Sequence, residues 1–149
     1  MERFNSGKAS YVGSEACRGC HTAAYEWWRS TKHGRAYDTL VKVNKQFNLS
    51  CVGCHVVGYQ KPGGSTVTHL GDSGVLKDVG CESCHGPGSL HVQSSGDTQF
   101  VIKDPSEGTC VTCHNHEHSE RFQYQAFRSL LIVPGHGKPL AGAPAKGAP

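Results

Sequence analysis

Apolar positions in this chain fall in short stretches broken by glycine- and proline-rich turns. Glu15 to Trp28 is rich in helix formers, and Ser14 stands where a capping side chain belongs. Thr31 to Lys45 reads as a second, shorter helix with Ala36, Tyr37, Leu40 and Val41 as its apolar stripe. The middle is irregular: Lys61-Pro62-Gly63-Gly64-Ser65 and Gly71-Asp72-Ser73-Gly74 are turn clusters flanking a short strand over Thr66 to His69. Gly86-Pro87-Gly88 stops any helix after His85, and Ser94 to Glu107 has the composition of a surface loop. A last helix is expected from Ser119 to about Leu131, after which Pro134-Gly135 turns the chain and presents His136. The pattern predicts a mostly α fold with much irregular loop. It divides into a flexible N-terminal segment (1–13), one folded domain (14–137) and a Pro/Gly/Ala-rich mobile tail (138–149).

Composition sharpens this picture. The 149 residues suit one domain, yet only 36% are hydrophobic and 19 are glycine, so ordinary side chains would build a weak core. Something else must supply apolar bulk.

All eight cysteines lie in four copies of Cys-x-x-Cys-His: Cys17-Arg18-Gly19-Cys20-His21, Cys51-Val52-Gly53-Cys54-His55, Cys81-Glu82-Ser83-Cys84-His85 and Cys110-Val111-Thr112-Cys113-His114. This is the attachment pattern of a c-type haem. The thiols of Cys17, Cys20, Cys51, Cys54, Cys81, Cys84, Cys110 and Cys113 form thioethers with the porphyrin edge. His21, His55, His85 and His114 reach the irons as proximal ligands. Paired Cys-x-x-Cys motifs would also serve two zinc sites, and an even cysteine count suits a disulfide framework. Neither explains the four histidines. With 10 His in 149 residues, one by chance at a given position is roughly 1 in 15 and four together roughly 1 in 50,000. Four haems in 149 residues leave about 37 residues for each large apolar macrocycle. The expectation is a small multihaem cytochrome c fold built around four covalently bound haems. First cysteines lie 34, 30 and 29 residues apart, but the segments share little beyond the motif, so no solenoid is read.

The haems also change the charge. The polypeptide carries a formal +3, whereas two propionates per haem shift the total by roughly −4 to −8. Basic residues are scattered, so nucleic acid is not an expected partner. No apolar run is long enough to cross a membrane. Covalent haem attachment implies a periplasmic or extracellular location, although Met1 to Gly13 shows no apolar signal core. Either an export signal has been removed or the chain is a piece of a longer exported protein. The tail from Lys138 suits a linker, which leaves fusion to or contact with other cytochrome or exported domains open, and a homo-oligomer with it.

Each iron needs a sixth ligand or an open position. The single Met is Met1, which sets His/Met ligation aside and points to bis-histidine or five-coordinate iron of low potential. Six histidines lie outside the motifs. His33 sits beside aromatics on a helix, His91 follows the Gly-Pro-Gly break, His118 starts the last helix and His136 rides a tight turn. These four are the expected distal ligands. His116 lies too close to its own motif, and His69 is read as surface and first reserve.

On Cys17 to Trp28 with Thr31-Lys32-His33, on Cys51 to His55 with Gly58-Tyr59, and on Val79 to Gly88, the chain resembles the cytochrome c-554 family of tetrahaem proteins. The resemblance covers most of residues 14 to 91. It implies closely stacked haem pairs, mostly bis-histidine, with electron transfer as the activity and redox proteins as partners. It also implies that His33 and His91 are distal ligands, and that the haem on Cys51, Cys54 and His55 is five-coordinate. After residue 92 the chain departs from that pattern, and His114 to Gly137 resembles haem domains attached to exported metallophosphoesterase-type proteins. If His136 reached the iron of His55, no vacant position would remain.

Electron relay is the leading functional reading, since the carboxylates are scattered and no triad, phosphate loop or dinucleotide fingerprint appears. The alternatives are a redox enzyme reducing a small nitrogen oxide or peroxide at one five-coordinate haem, and a subunit of an extracellular haem filament.

Overall fold

Helices in this protein are short, and several of them end within the cysteine motifs. The computed structural model describes residues 9–65 and 76–140. Among these, the helices are α1 (Glu15–Arg18), α2 (Thr22–Ser30), α3 (Ala36–Lys42), α4 (Leu49–Val52), α5 (Cys81–His85), α6 (Ser89–Gln93), α7 (Glu107–Val111) and α8 (Tyr124–Ser129). Single 3-10 turns cover His33–Arg35 and Thr98–Phe100, and β1 (Val133–Pro134) pairs in parallel with β2 (Gly137–Lys138). The architecture is mostly helical with irregular loops, as the sequence predicts. The strand expected over Thr66 to His69 lies outside the described residues.

Boundaries differ from the sequence pattern for identifiable reasons. The helix expected from Glu15 to Trp28 splits at His21, whose backbone (φ −121°, ψ 49°) leaves the helical region before α2 restarts at Thr22. Ser14 does not cap α1: its Oγ accepts from the Cys81 amide at 3.1 Å. Thr31 to Lys45 breaks at Arg35 (φ −134°), so only α3 is α-helical. Ala36, Tyr37 and Leu40 of the expected stripe are buried, while Val41 stays exposed. The last helix is confined to Tyr124–Ser129, because residues 115–119 form a turn in which the Ser119 amide donates to the Asn115 carbonyl at 2.8 Å. Gly86 (φ 83°) ends α5 directly after His85, as its sequence context predicts.

The elements around the second motif carry most of the core: Tyr37, Leu40, Val52 and Val56, with Cys51 and Tyr59 packed against them. Gly34 lies so close to the end of α2 that a Cβ there would sit 2.1 Å from the Trp28 carbonyl oxygen. Asp78 ties this region to α5. Its carboxylate accepts from the Tyr37 amide (2.9 Å) and from the Arg29 guanidinium (3.3 Å), which also donates to the Gly34 carbonyl (2.8 Å). The Trp28 indole donates to the Val79 carbonyl at 2.7 Å, and the Val79 amide to that of His33 at 3.0 Å.

Among the described residues only Tyr25, Trp28, Ala36, Tyr37, Leu40, Val52, Val56 and Val57 are buried apolar side chains. So small a core cannot offset the conformational entropy of ordering the chain. The haem-free polypeptide is therefore expected to be largely unfolded. Far-ultraviolet circular dichroism with thermal melting checks this, and a cooperative native-like transition would contradict it.

Candidate haem sites

Each motif begins in a short helix: Cys17 in α1, Cys51 in α4, Cys81 in α5 and Cys110 in α7. In the first, second and fourth motifs the helix ends before the second cysteine, and the histidine follows in the adjoining turn. Backbone bonds still wind that turn helically, from the His21 amide to the Cys17 carbonyl (2.9 Å) and from His114 to Cys110 (2.9 Å). Both thiols and the imidazole thus project to one side, as two thioethers and one iron bond require.

The sites meet one another through their cysteines. Cys17 and Cys81 share a thiol–thiol hydrogen bond, which raises Cys17 and lowers Cys81 to about 7. Burial raises Cys113 to about 12, with Cys54 at hydrogen-bond distance, and raises Cys84 to about 11, with Cys110 adding to the rise. The first motif therefore adjoins the third, the second adjoins the fourth, and the third adjoins the fourth. Among the described residues no group of three or more His, Cys, Asp or Glu is gathered as a zinc site would need.

The histidines carry the decisive geometry. His21 faces His91 with ring centres 6.4 Å apart and planes inclined 19°. His33 faces His114 at 6.0 Å and 55°, and His85 faces His136 at 6.1 Å and 76°. With metal–imidazole bonds of about 2 Å on each side, two rings bracketing one metal have centres roughly 6 Å apart. All three spacings fit an iron between the rings.

Protonation fits as well. Nδ1 of His55 lies 2.5 Å from the Ala36 carbonyl, that of His85 2.5 Å from Ile102, that of His91 2.8 Å from Asp97 and that of His136 2.7 Å from Leu131. A carbonyl only accepts, so each Nδ1 holds the proton and each Nε2 keeps its lone pair for a metal. Nδ1 of His114 meets the Ser119 hydroxyl at 3.0 Å. Burial pushes His33 and His114 below the usual histidine range, favouring the neutral ring that ligation needs. These residues fit haem iron.

The other histidines are placed differently. No histidine ring faces His55 among the described residues. His118, expected as a distal ligand, is not brought to a motif histidine. Its side chain is 58% exposed, 3.8 Å from the Glu117 carboxylate, because the turn after His114 directs it outward. His116 is exposed, and His69 lies outside the described residues.

Sequence reasoning missed Glu82, which is 4% exposed between the cysteines of the third motif. Its carboxylate accepts from the amides of Val12 (2.9 and 3.1 Å), Gly13 (2.6 Å) and Gly88 (2.7 Å). The Ser10 amide donates to the Ser89 hydroxyl (2.8 Å), so the described end of segment 1–13 is laced onto the third motif. A carboxylate six residues ahead of Gly88, in a Gly-Pro-Gly break with free amides, is the one signal that marks it.

A sequence profile of the family described as "Cytochrome c554 and c-prime" matches residues 16–86. Cytochrome c-554 of Nitrosomonas europaea is 36% identical over a 95-residue alignment taking in 54% of this chain and 40% of that protein. The chain thus spans about two fifths of that relative's length. The reduced state of cytochrome c554 from Nitrosomonas europaea shares the fold with a TM-score of 0.54 and 26% identity, over 93% of this chain and 72% of the other. With the motif cysteines and histidines already disposed to hold porphyrin iron, the chain is similar over these stretches to the cytochrome c-554-like c-type cytochromes, and its residues fit covalently bound haem c with its iron.

Proposed function

We propose that this protein is a tetrahaem electron carrier working between redox partner proteins in a periplasmic or extracellular space. Residues 14–137 form its haem domain. The three facing histidine pairs carry this reading: His21 with His91, His85 with His136 and His114 with His33 complete three bis-histidine irons, and His55 holds the fourth. Haem iron, when bound, supplies a one-electron couple. The chain's part is to hold the proton on Nδ1 and orient each imidazole through the carbonyls of Ile102, Asp97, Leu131 and Ala36. Cysteines of different motifs in contact hold the macrocycle edges near one another, which suits relay across all four sites. Imidazole on both sides of an iron favours low potential.

Potentiometric titration is expected to show reversible one-electron steps at low potential. Midpoints all in the range of His/Met cytochromes would refute bis-histidine ligation.

The second reading, an enzyme acting on a small nitrogen oxide or peroxide, draws on one observation: among the described residues no histidine ring faces His55. Carbon monoxide added to the reduced protein is expected to shift the Soret band of one haem in four. No shift would close the site and remove the enzyme reading.

A further inference from the structure

We infer that Trp27 is a positioning residue that sets the plane of the His136 imidazole at the third haem site, and with it the electronic character of that iron. The inference rests on the reading of His136 as the ligand opposite His85.

His136 arrives on a small hook. Strands β1 and β2 hold two residues each, and the hook closes through bonds from the Val133 amide to the His136 carbonyl (2.8 Å), from His136 to Val133 (2.9 Å) and from Gly135 to Lys138 (2.8 Å). So small a unit has little rigidity of its own. What orients it is the surface of α2. Gly135 (φ 91°) approaches Ala23 so closely that a Cβ would stand 2.8 Å from the Ala23 methyl. One turn further along the same face, Trp27 lies flat on the His136 ring, with centres 4.6 Å apart and planes inclined 20°.

The two contacts on His136 divide the work. The Leu131 carbonyl at 2.7 Å selects the tautomer and aims Nε2. As a single contact at one edge of the ring, it limits rotation of the plane without locking it. The indole face narrows the freedom that remains, since a parallel stack is lost as the imidazole turns. Trp28, its neighbour, turns the other way, onto Tyr25 and the Val79 carbonyl.

The consequence is a distinct axial geometry at each paired site. The ring planes are nearly parallel for His21 and His91 (19°), intermediate for His33 and His114 (55°), and nearly crossed for His85 and His136 (76°). Imidazole planes set the splitting of the iron d orbitals. Parallel planes give a rhombic ferric resonance, and crossed planes a strongly anisotropic one. Trp27 holds the third site at the crossed extreme.

The test compares the ferric holoprotein with Trp27→Phe, Trp27→Leu and His136→Ala by electron paramagnetic resonance and potentiometry. Phenylalanine keeps a stacking face, whereas leucine fills space without one. The strongly anisotropic signal should persist in Trp27→Phe. In Trp27→Leu it should move toward rhombic, with a shifted midpoint for that haem alone, the three paired irons remaining low-spin. In His136→Ala the same signal should be replaced by a high-spin one. Identical spectra for the leucine and phenylalanine variants, shifted or not, overturn the role of Trp27 while leaving His136 as ligand. An unchanged spin state in His136→Ala overturns the ligand reading itself.

Discussion

Replacing His33, His91 or His136 by alanine, one at a time, is expected to turn one low-spin haem high-spin in each variant. The fraction of haem that binds carbon monoxide on reduction should rise from one of the four to two. His118→Ala is expected to leave both spectra unchanged. The argument is geometric. Each of the first three rings stands 6.0–6.4 Å from a motif histidine, a distance that one metal spans and a direct ring contact does not need. Two of them, His91 and His136, are also held by a carbonyl on Nδ1, so Nε2 has no competing proton. His118 lies beside Glu117 in solvent. Magnetic circular dichroism of the ferric proteins, with a carbon monoxide titration of the reduced ones, reads the outcome directly. A variant at His33, His91 or His136 that gains no high-spin haem would remove that residue from its iron, and a spin change in His118→Ala would redraw the ligand set.

Glu82→Ala is expected to be the most destabilising single substitution away from the haem ligands and cysteines, lowering the unfolding free energy by about 3 kcal/mol or more. Three backbone amides, those of Val12, Gly13 and Gly88, lose their acceptor at once. A donor left buried without a partner costs about 1–3 kcal/mol. Glu82→Gln should fall between alanine and the native residue, because its amide keeps one accepting oxygen but turns an NH2 group toward backbone donors. Guanidinium unfolding of the matured holoprotein, followed by tryptophan fluorescence and the Soret band, measures both. An alanine variant within about 0.5 kcal/mol of wild type would show the clamp to be dispensable. Such a clamp has a clear place in the fold: it closes the chain over the third motif, where Cys81 meets Cys17.

Much of the haem chemistry was legible in the residues alone. A Cys-x-x-Cys-His motif spans five consecutive positions, so one helical turn brings its groups to one side whatever the rest of the chain does. The Gly86-Pro87-Gly88 stop and the Ala36, Tyr37 and Leu40 stripe are local in the same sense. Helix boundaries were less legible: α1 and α2 separate at His21, and α3 starts only after a 3-10 turn. Helices this short gain stability from packing rather than from propensity, and the packing partners lie elsewhere in the chain.

The sequence by itself determined the number of attachment motifs, the candidate proximal and distal histidines and the poverty of the apolar core, because each depends on composition or on neighbours within a few residues. Only the tertiary structure decided that His91 meets His21, that His136 meets His85 and leaves His55 unmatched among the described residues, that His118 turns outward, and that Glu82 gathers the amides of Val12 and Gly13. Those contacts join residues as far as 81 positions apart, as for His33 and His114. No local spacing encodes such pairings. They follow from how the short helices stack, and residue type alone cannot choose among several equally competent imidazoles.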